Sequence, residues 1–132
     1  HTEGRYDYSL SGLKTAFINA VHNARQKGEL LCDADLAASF RYAVVSQLVD
    51  KAMLAARELG LHKMVLAGGV SANRLLRREM EAACAKAGIP LYMPRLELCG
   101  DNAAMIGSAA YYRLRRGELA DLSLNARPAL RL

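Results

Sequence analysis

The most constraining feature of the sequence is a strand–helix–strand pattern near its middle. A short apolar run, Lys63–Ala67, stops at Gly68–Gly69, and a second run, Ile89–Met93, follows the helix-like segment Ser71–Ala87. This order predicts two parallel strands joined by a right-handed helical crossover. Two parallel strands do not form a stable sheet by themselves. We therefore expect the remaining strands to lie outside this chain, or to be supplied by another chain.

Helical spacing of apolar residues recurs on both sides of this unit. The further predicted helices are Ser11–Lys27, Asp35–Leu59 and Asn102–Arg116. The inward face of the first consists of Leu13, Phe17, Val21 and Ala24. The second has a broad apolar stripe, which predicts packing on more than one side, and Asp33 or Asp35 is placed to cap its start.

Glycines follow the helix-like runs. Glycine readily takes the left-handed conformation that ends a helix, and the four that follow helix-like runs are Gly28, Gly60, Gly88 and Gly117. The fold class is therefore α/β and helix-rich, with two long N-terminal helices and one βαβ unit. We expect a single partial domain over 1–132, with a helical part (1–60), a βαβα part (61–117) and a tail (118–132).

Composition excludes several classes of protein. Of the 132 residues, 52% are apolar, which is enough for a folded core and argues against disorder. No apolar run approaches the length of a membrane span, so no membrane partner is expected. The chain begins with His1 and has no secretory pattern, which suggests a piece of a longer protein. Three cysteines without a CxxC pair favour a reducing cytoplasm over a disulfide framework or a structural zinc cluster.

The charge balance points to a phosphate-rich partner. The net charge is +5, and arginine supplies 13 of the 18 cationic residues. Arginine binds phosphate through its planar fork of donors. The two groups are Arg74, Arg77 and Arg78, and Arg113, Arg115 and Arg116. They predict contacts to an RNA such as tRNA, and the alternative is solvated helix faces.

The first candidate site is the segment Gly68–Asn73, which follows the first predicted strand and opens a helix. Ligands of parallel sheets bind beyond the carboxyl ends of the strands. Gly68 and Gly69 allow close approach of a ligand to the backbone, and the helix start offers N–H groups to an anion. Asn73 is predicted to lie in the first turn with both a donor and an acceptor for a ligand. The alternative is a tight turn with Asn73 in solvent.

The second candidate site follows the second strand, at Cys99–Asn102. Asp101 is either a cap of the last helix or a metal ligand. Cys99 lies two residues away, but the three histidines of the chain show no helical metal spacing. One carboxylate is an incomplete site, so as a metal ligand Asp101 needs partners from other sequence. Asn73 and Asp101 both follow strands of one βαβ unit, and we expect them to face the same crevice.

A third candidate is Lys14, within the serine-flanked segment Ser9–Thr15. The serines suit helix capping, and Lys14 in a first helical turn is placed to reach a phosphate. A cation at a helix N-terminus opposes the helix dipole. That conflict favours a functional or ion-paired role for this lysine.

Three motifs in a fixed order indicate a family. They are Ser9–Thr15, Gly68–Asn73 and Cys99–Gly107. In this order they resemble the C-terminal part of the tRNA threonylcarbamoyladenosine transferase family (TsaD, once labelled O-sialoglycoprotein endopeptidase), with the likeness running from about Tyr8 to Leu114. The resemblance implies the second lobe of an actin-like ATPase fold, of the sugar-kinase and Hsp70 type.

The resemblance also implies an activity and its participants. Family members transfer a threonylcarbamoyl group from its adenylate to the adenosine beside the anticodon of tRNA. They hold one metal, iron or zinc, with two histidines of an H-x-x-x-H helix and one aspartate, which Asp101 matches. Asn73 matches an asparagine that contacts the nucleotide. The implied partners are tRNA, threonylcarbamoyl-adenylate, the N-terminal lobe and other proteins of the tRNA-modification complex.

The sequence departs from the family pattern in several places. Gly100 replaces a usual Thr or Ser, and Leu10 replaces a usual Phe. The H-x-x-x-H helix and the first lobe are absent from this chain, so we expect the fragment alone to be inactive.

Two other functions compete with this interpretation. One is a non-catalytic, helix-rich interaction module, and the other is a lobe of another actin-like phosphotransferase such as a sugar kinase. No endopeptidase motif is present: the sequence has no HExxH and no evident Ser–His–Asp set. The missing strands also predict exposed apolar surface and self-association of the fragment.

Overall fold

The computed structural model describes residues 4–125, which fall into two compact units that meet between Cys99 and Gly100. The first unit contains three helices and two strands, and the second contains one helix. In chain order the elements are α1 (Leu10–Gln26), α2 (Asp33–Glu58), β1 (Met64–Val65), α3 (Arg74–Ala87), β2 (Leu91–Tyr92) and α4 (Ala103–Arg115). The helix-rich α/β class is confirmed. The division into 1–60, 61–117 and 118–132 stays a prediction.

Helix α1 begins and packs as its sequence predicts. The Ser9 hydroxyl accepts a hydrogen bond from the Gly12 amide at 3.0 Å, which satisfies one of the free N–H groups of the first turn. The four residues of the predicted inward face are half-buried. Phe17 stacks against Phe40 of α2 with ring centroids 4.8 Å apart, and this aromatic pair joins the two helices.

The start of α2 differs from the prediction. Neither Asp33 nor Asp35 caps the helix, because both lie inside its first turn, and the cap position is taken by Cys32 without a side-chain hydrogen bond. Two carboxylates in the first turn still interact favourably with the positive end of the helix dipole. The aspartates therefore favour this helix start through their charge.

The βαβ unit is present, with shorter strands than predicted. Strands β1 and β2 are parallel, and Met64 pairs with Leu91 and Val65 with Tyr92. The Met64 amide donates to Pro90 O at 3.0 Å, and the Leu66 amide donates to the Tyr92 carbonyl at 2.9 Å. Each strand has a single neighbour among residues 4–125, so only the residues of this short ladder form regular sheet.

One face of the sheet packs on the helices. The core cluster consists of Val45, Val49, Leu76, Met80 and Cys84. The first two belong to α2 and the others to α3, so the core is largely the contact between these two helices. Met64 and Leu91 pack against the cluster from the sheet. Helical spacing in the sequence predicts an inward side of α3 made of Leu75, Leu76, Met80, Ala83 and Cys84. This prediction is confirmed, since Leu75 and Ala83 border the same cluster.

The other face of the sheet is open. Val65 is 70% exposed and Tyr92 is 55% exposed, although they are register partners in the ladder. The first apolar run, which is typical of a buried strand, is therefore not buried on this face. The physical reason is that parallel sheets are covered on both faces, and residues 4–99 supply helices for only one.

The second unit, by itself, is a single helix followed by a turn. The Asn102 side chain caps α4 by accepting from the Met105 amide at 3.0 Å. Beyond the helix, the Glu118 carboxylate accepts hydrogen bonds from the Arg116 and Arg113 guanidinium groups, and these bonds lower its pKa. The irregular tail is confirmed as far as residue 125, and its remainder lies outside the described residues.

The predicted helix ends are confirmed at all four glycines, which have φ between +63° and +75°. None of the helices in the part of the chain that the structure describes is long and apolar enough to cross a membrane.

The open sheet face predicts self-association of the chain. Replacing Val65 and Tyr92 together by threonine keeps β-propensity and removes apolar area from this face. We expect the wild-type chain to sediment as a concentration-dependent oligomer, and the double variant to shift toward monomer.

Leu30→Thr is the matched control, because Leu30 is 102% exposed and lies in the loop between α1 and α2. We expect it to sediment as the wild type does. A monomeric wild-type chain, or an equal shift in the Leu30 variant, would contradict the prediction.

Candidate nucleotide site and metal-ligand segment

The loop after β1 is shaped by Gly68. Its backbone, at φ +86° and ψ 171°, is in a region that is open to glycine and closed to other L-residues. A 3-10 turn, Gly69–Ala72, follows, and α3 begins only at Arg74. The prediction of a continuous helix from Ser71 is therefore corrected: the chain turns once before the helix starts.

Asn73 is the N-cap of α3, one position before the first turn in which it was predicted. Its Oδ1 accepts from the Leu75 and Leu76 amides at 3.0 and 3.1 Å. The acceptor is thus used by the protein itself. Among the described residues the Nδ2 group has no hydrogen-bond acceptor, so the half-buried side chain retains two N–H donors for a ligand.

The space above the glycines is open, as the sequence predicts. A Cβ added to Gly68 or Gly69 would meet no atom within 4 Å. The start of α3 has no acidic residue in its first turn, and Arg74 is exposed there. Since Asn73 caps the Leu75 and Leu76 amides, it is the positive end of the helix dipole, together with an exposed cation, that favours an anion at this loop.

Arg77 has a role that the sequence does not indicate. Its Nη1 donates to the Ser71 carbonyl at 3.0 Å and lies 3.5 Å from the Cys99 Sγ, while Nη2 donates to the Pro94 carbonyl. The prediction that Arg77 contacts a phosphate with its neighbours is therefore corrected, because its guanidinium is used inside the protein. The signal that was missed is its position one turn beyond the cap Asn73.

Ser71 is the second residue that sequence reasoning missed. It is completely buried, and its hydroxyl oxygen has no hydrogen-bond partner in the described chain. A buried hydroxyl without a partner is costly. Its backbone carbonyl, in contrast, is satisfied by Arg77. The turn before α3 is therefore stabilised by the hydrogen bond to its backbone carbonyl and not by the Ser71 hydroxyl.

Cys99 is not placed to bind a metal with Asp101. Its side chain is 3% exposed, and its thiol donates to the Arg95 carbonyl at 3.4 Å while it receives the Arg77 contact. Both sides of the sulfur are thus used. The predicted candidacy of Cys99 as a neighbouring ligand has no support in this arrangement.

Asp101 is exposed, and its carboxylate makes no hydrogen bond or ion pair among residues 4–125. The alternative that Asp101 caps the last helix is wrong, because Asn102 does so. In the same described range no three His, Cys, Asp or Glu side chains are grouped so that they could hold a metal ion. These residues fit one ligand of a site and do not form a complete one. Since Asp101 and Asn73 belong to different units, their shared crevice stays a prediction.

Lys14 lies in the second turn of α1 and is exposed. It was predicted one turn earlier, where the conflict with the helix dipole would be larger. No hydrogen bond or ion pair links it to Gly68–Asn73 within the described chain. Its role in phosphate binding stays a prediction.

The remaining arginines of the two groups are mostly paired. Arg78 binds Glu79, and Arg113 and Arg116 bind Glu118, while Arg115 lies 6.0 Å from the Tyr111 ring centroid. Exposed pairs of this kind contribute little stability and are easily exchanged. Arg74 has no ion-pair partner among residues 4–125.

The fold and the loop define a class: α/β proteins with a glycine-containing turn and a helix N-terminus at the carboxyl end of a strand. The family model of "TsaD: tRNA N6-adenosine threonylcarbamoyltransferase" matches residues 1–108. The chain belongs to this family.

Curated relatives that carry the name of this family match nearly the whole chain. The chain is 53% identical over 130 residues to the tRNA N6-adenosine threonylcarbamoyltransferase of Moorella thermoacetica, covering 98% of this chain and 38% of that protein. It is 54% identical to the protein of that name from Latilactobacillus sakei, with 97% and 38% covered. For the Enterococcus faecalis protein the identity is 48%, with 97% and 37% covered. The chain thus spans well under half the length of these relatives.

The cap geometry predicts a separable role for Asn73 in stability. Asn73→Ala removes the acceptor of two amide hydrogen bonds and should lower the free energy of unfolding by about 1 kcal/mol. Asn73→Asp keeps an acceptor at the same place and should retain wild-type stability. Urea unfolding of the chain, followed by circular dichroism, measures both.

Asn19→Ala is the control, because Asn19 is exposed in the middle of α1. It should not lower stability, since alanine has the higher helix propensity. Equal destabilisation by the Ala and Asp variants at position 73 would rule out the cap as the stabilising feature.

Proposed function

We propose that the longer protein to which this chain belongs transfers a threonylcarbamoyl group from its adenylate to the adenosine beside the anticodon of tRNA. The observation that carries the proposal is the family match over residues 1–108, within which the loop Gly68–Asn73 has a geometry suited to a nucleotide. The chain supplies part of the site and is inactive alone.

The proposed architecture is the second lobe of an actin-like ATPase fold. Three features support it: the parallel βαβ unit, the candidate loop at the carboxyl end of a strand, and a sheet with one face open. An uncovered apolar sheet face is what remains when strands and helices of a larger lobe are absent. The first lobe, on the N-terminal part of the longer protein, would close the cleft.

The nucleotide part of the substrate lies over Gly68 and Gly69 in this proposal. The lack of Cβ atoms there lets a planar or phosphate group approach the backbone. Asn73 donates from Nδ2 to a ligand oxygen, since its Oδ1 is used by the helix. The positive start of α3 stabilises the negative charge of the adenylate. Lys14 is proposed as a weaker phosphate contact.

Asp101 is proposed as one ligand of a divalent metal, iron or zinc, with the other ligands on the N-terminal part of the longer protein. Its exposed, unpaired carboxylate supports this role. A metal of this kind would orient the acyl phosphate and stabilise negative charge as the carbonyl is attacked. The contribution of this chain is to present the carboxylate just before the capped helix α4.

Contacts to tRNA are proposed for the exposed arginines, with Arg74 first among them because it has no competing carboxylate in the described chain. The cytoplasm is the proposed compartment, supported by three free thiols. Other proteins of the tRNA-modification complex are proposed partners, for which the exposed apolar side chains provide surface.

Asp101→Asn in the full-length protein tests the metal role. It should leave the fold intact, because Asn102 caps α4, and it should reduce both bound metal and threonylcarbamoyl transfer to background. Metal content is measured by elemental analysis, and transfer by incorporation of labelled threonine into tRNA.

Asn102→Ser is the matched control, because serine keeps a capping acceptor and changes no charge. It should retain both metal and activity. Wild-type metal content and activity in the Asp101 variant would refute the ligand role.

The tRNA proposal predicts a change in salt dependence. In the full-length protein, Arg74→Gln should reduce the slope of log affinity for tRNA against log salt by about 1, the loss of one phosphate contact. Filter binding between low and physiological salt measures the slope. Arg77→Gln should leave the slope unchanged, because that guanidinium is used internally. An unchanged slope in the Arg74 variant would favour the solvated helix face.

A further inference from the structure

We propose that Arg77 is a positioning residue that holds the nucleotide loop Gly68–Asn73 and the segment Pro94–Cys99 at a fixed separation. The first segment follows β1, and the second follows β2 and leads into Asp101. The consequence for catalysis rests on the proposed function, whereas the mechanical role stands on the contacts alone.

The contacts join the two segments through one planar group. Nη1 donates to Ser71 O on the β1 side, and Nη2 donates to Pro94 O on the β2 side. The guanidinium also contacts the Sγ atom of Cys99, which is the last residue of the first unit. A fork of donors in fixed geometry can span two carbonyls at once, and a lysine ammonium on a flexible stem cannot reproduce that geometry.

The charge arrangement argues against a role in helix stability. Arg77 lies in the N-terminal part of α3, where a cation opposes the helix dipole. It has no ion pair with a carboxylate among residues 4–125. The hydrogen bonds of Arg77 to two backbone carbonyls outside the β-ladder offset this unfavourable position of its charge.

The thiol of Cys99 extends this arrangement. It accepts the Arg77 contact and donates to Arg95 O, across the 3-10 turn Leu96–Leu98. Arg77 therefore fixes both ends of the segment, at Pro94 and at Cys99. Only Gly100 separates Cys99 from Asp101 in the sequence.

The nucleotide loop Gly68–Asn73 also depends on the Arg77 side chain. Gly68 has open space on the side where a Cβ would lie, and the Ser71 hydroxyl has no partner in the described chain. The other hydrogen bonds of the turn are local: the Ser71 amide donates to Gly68 O, and the Asn73 amide donates to Val70 O. Through Arg77, the Ser71 carbonyl connects this turn to the segment that follows β2. Loss of Arg77 should leave the Asn73 cap in place, because its hydrogen bonds are local, and should free the turn Gly69–Ala72 in front of it.

The experiment uses the full-length protein with Arg77→Lys, and Arg77→Met as the second variant. Hydrogen exchange should accelerate in residues 68–73 and 94–99 and stay unchanged in the core of α2. The KM for threonylcarbamoyl-adenylate should rise by about 10- to 100-fold with a smaller change in kcat, as for a displaced binding group. Arg77→Lys should not restore the wild-type exchange or KM, because an ammonium group cannot bond to both carbonyls at once.

Two controls separate positioning from stability. Arg78→Lys changes the adjacent exposed arginine, which binds Glu79, and should behave as the wild type. Val45→Ala lowers stability through the core cluster and should lower Tm without a selective change in the two segments.

The outcomes decide the proposal in each case. Selective exchange in the two segments with a raised KM supports it. Unchanged exchange there, unchanged KM, or a pattern equal to that of Val45→Ala at matched Tm overturns it. If the wild-type protein does not transfer the group, the proposed function fails, and the exchange measurement alone decides whether Arg77 holds the two segments together.

Discussion

The contact between α2 and α3 is the interaction on which the first unit depends. Val45 and Val49 from one helix meet Leu76, Met80 and Cys84 from the other, and the half-buried side of the sheet closes over them. Burial raises the pKa of the Cys84 thiol, which keeps it neutral among apolar neighbours. Because this is the main core of residues 4–99, the position of β1 and β2, and of the loops that follow them, is set by how these two helices pack.

The two candidate segments use asparagine in the same way. Asn73 and Asn102 each accept hydrogen bonding from the backbone at a helix start, and each therefore orders the first turn of the helix that follows it. This arrangement leaves other groups free for chemistry: the Asn73 amide donors, and the carboxylate of Asp101 immediately before the second cap. In the proposed function, helix capping and ligand binding thus use adjacent atoms of the same short motifs.

Regular features of the fold could be predicted from the sequence because they depend on local periodicity. The inward face of α1, the inward side of α3 and the glycine helix ends are all confirmed. The cap of α2, the helix start at Arg74 and the internal use of Arg77 could not be predicted. Each depends on which hydrogen bonds the folded backbone leaves unsatisfied, and periodicity carries no such information. Asn73 and Asp101 could be proposed as site residues from the family motifs and from their positions after the predicted strands.

The parallel pair has a consequence for how the chain folds. Met64 and Leu91 are joined by a single intervening helix, so their pairing closes a short loop and has a low entropic cost. Parallel pairing is nevertheless slow to form compared with the local contacts of a helix. A βαβ unit with Val65 and Tyr92 exposed then offers an apolar face on which further elements can pack. Until they do, the same face is a site for association between incompletely folded molecules.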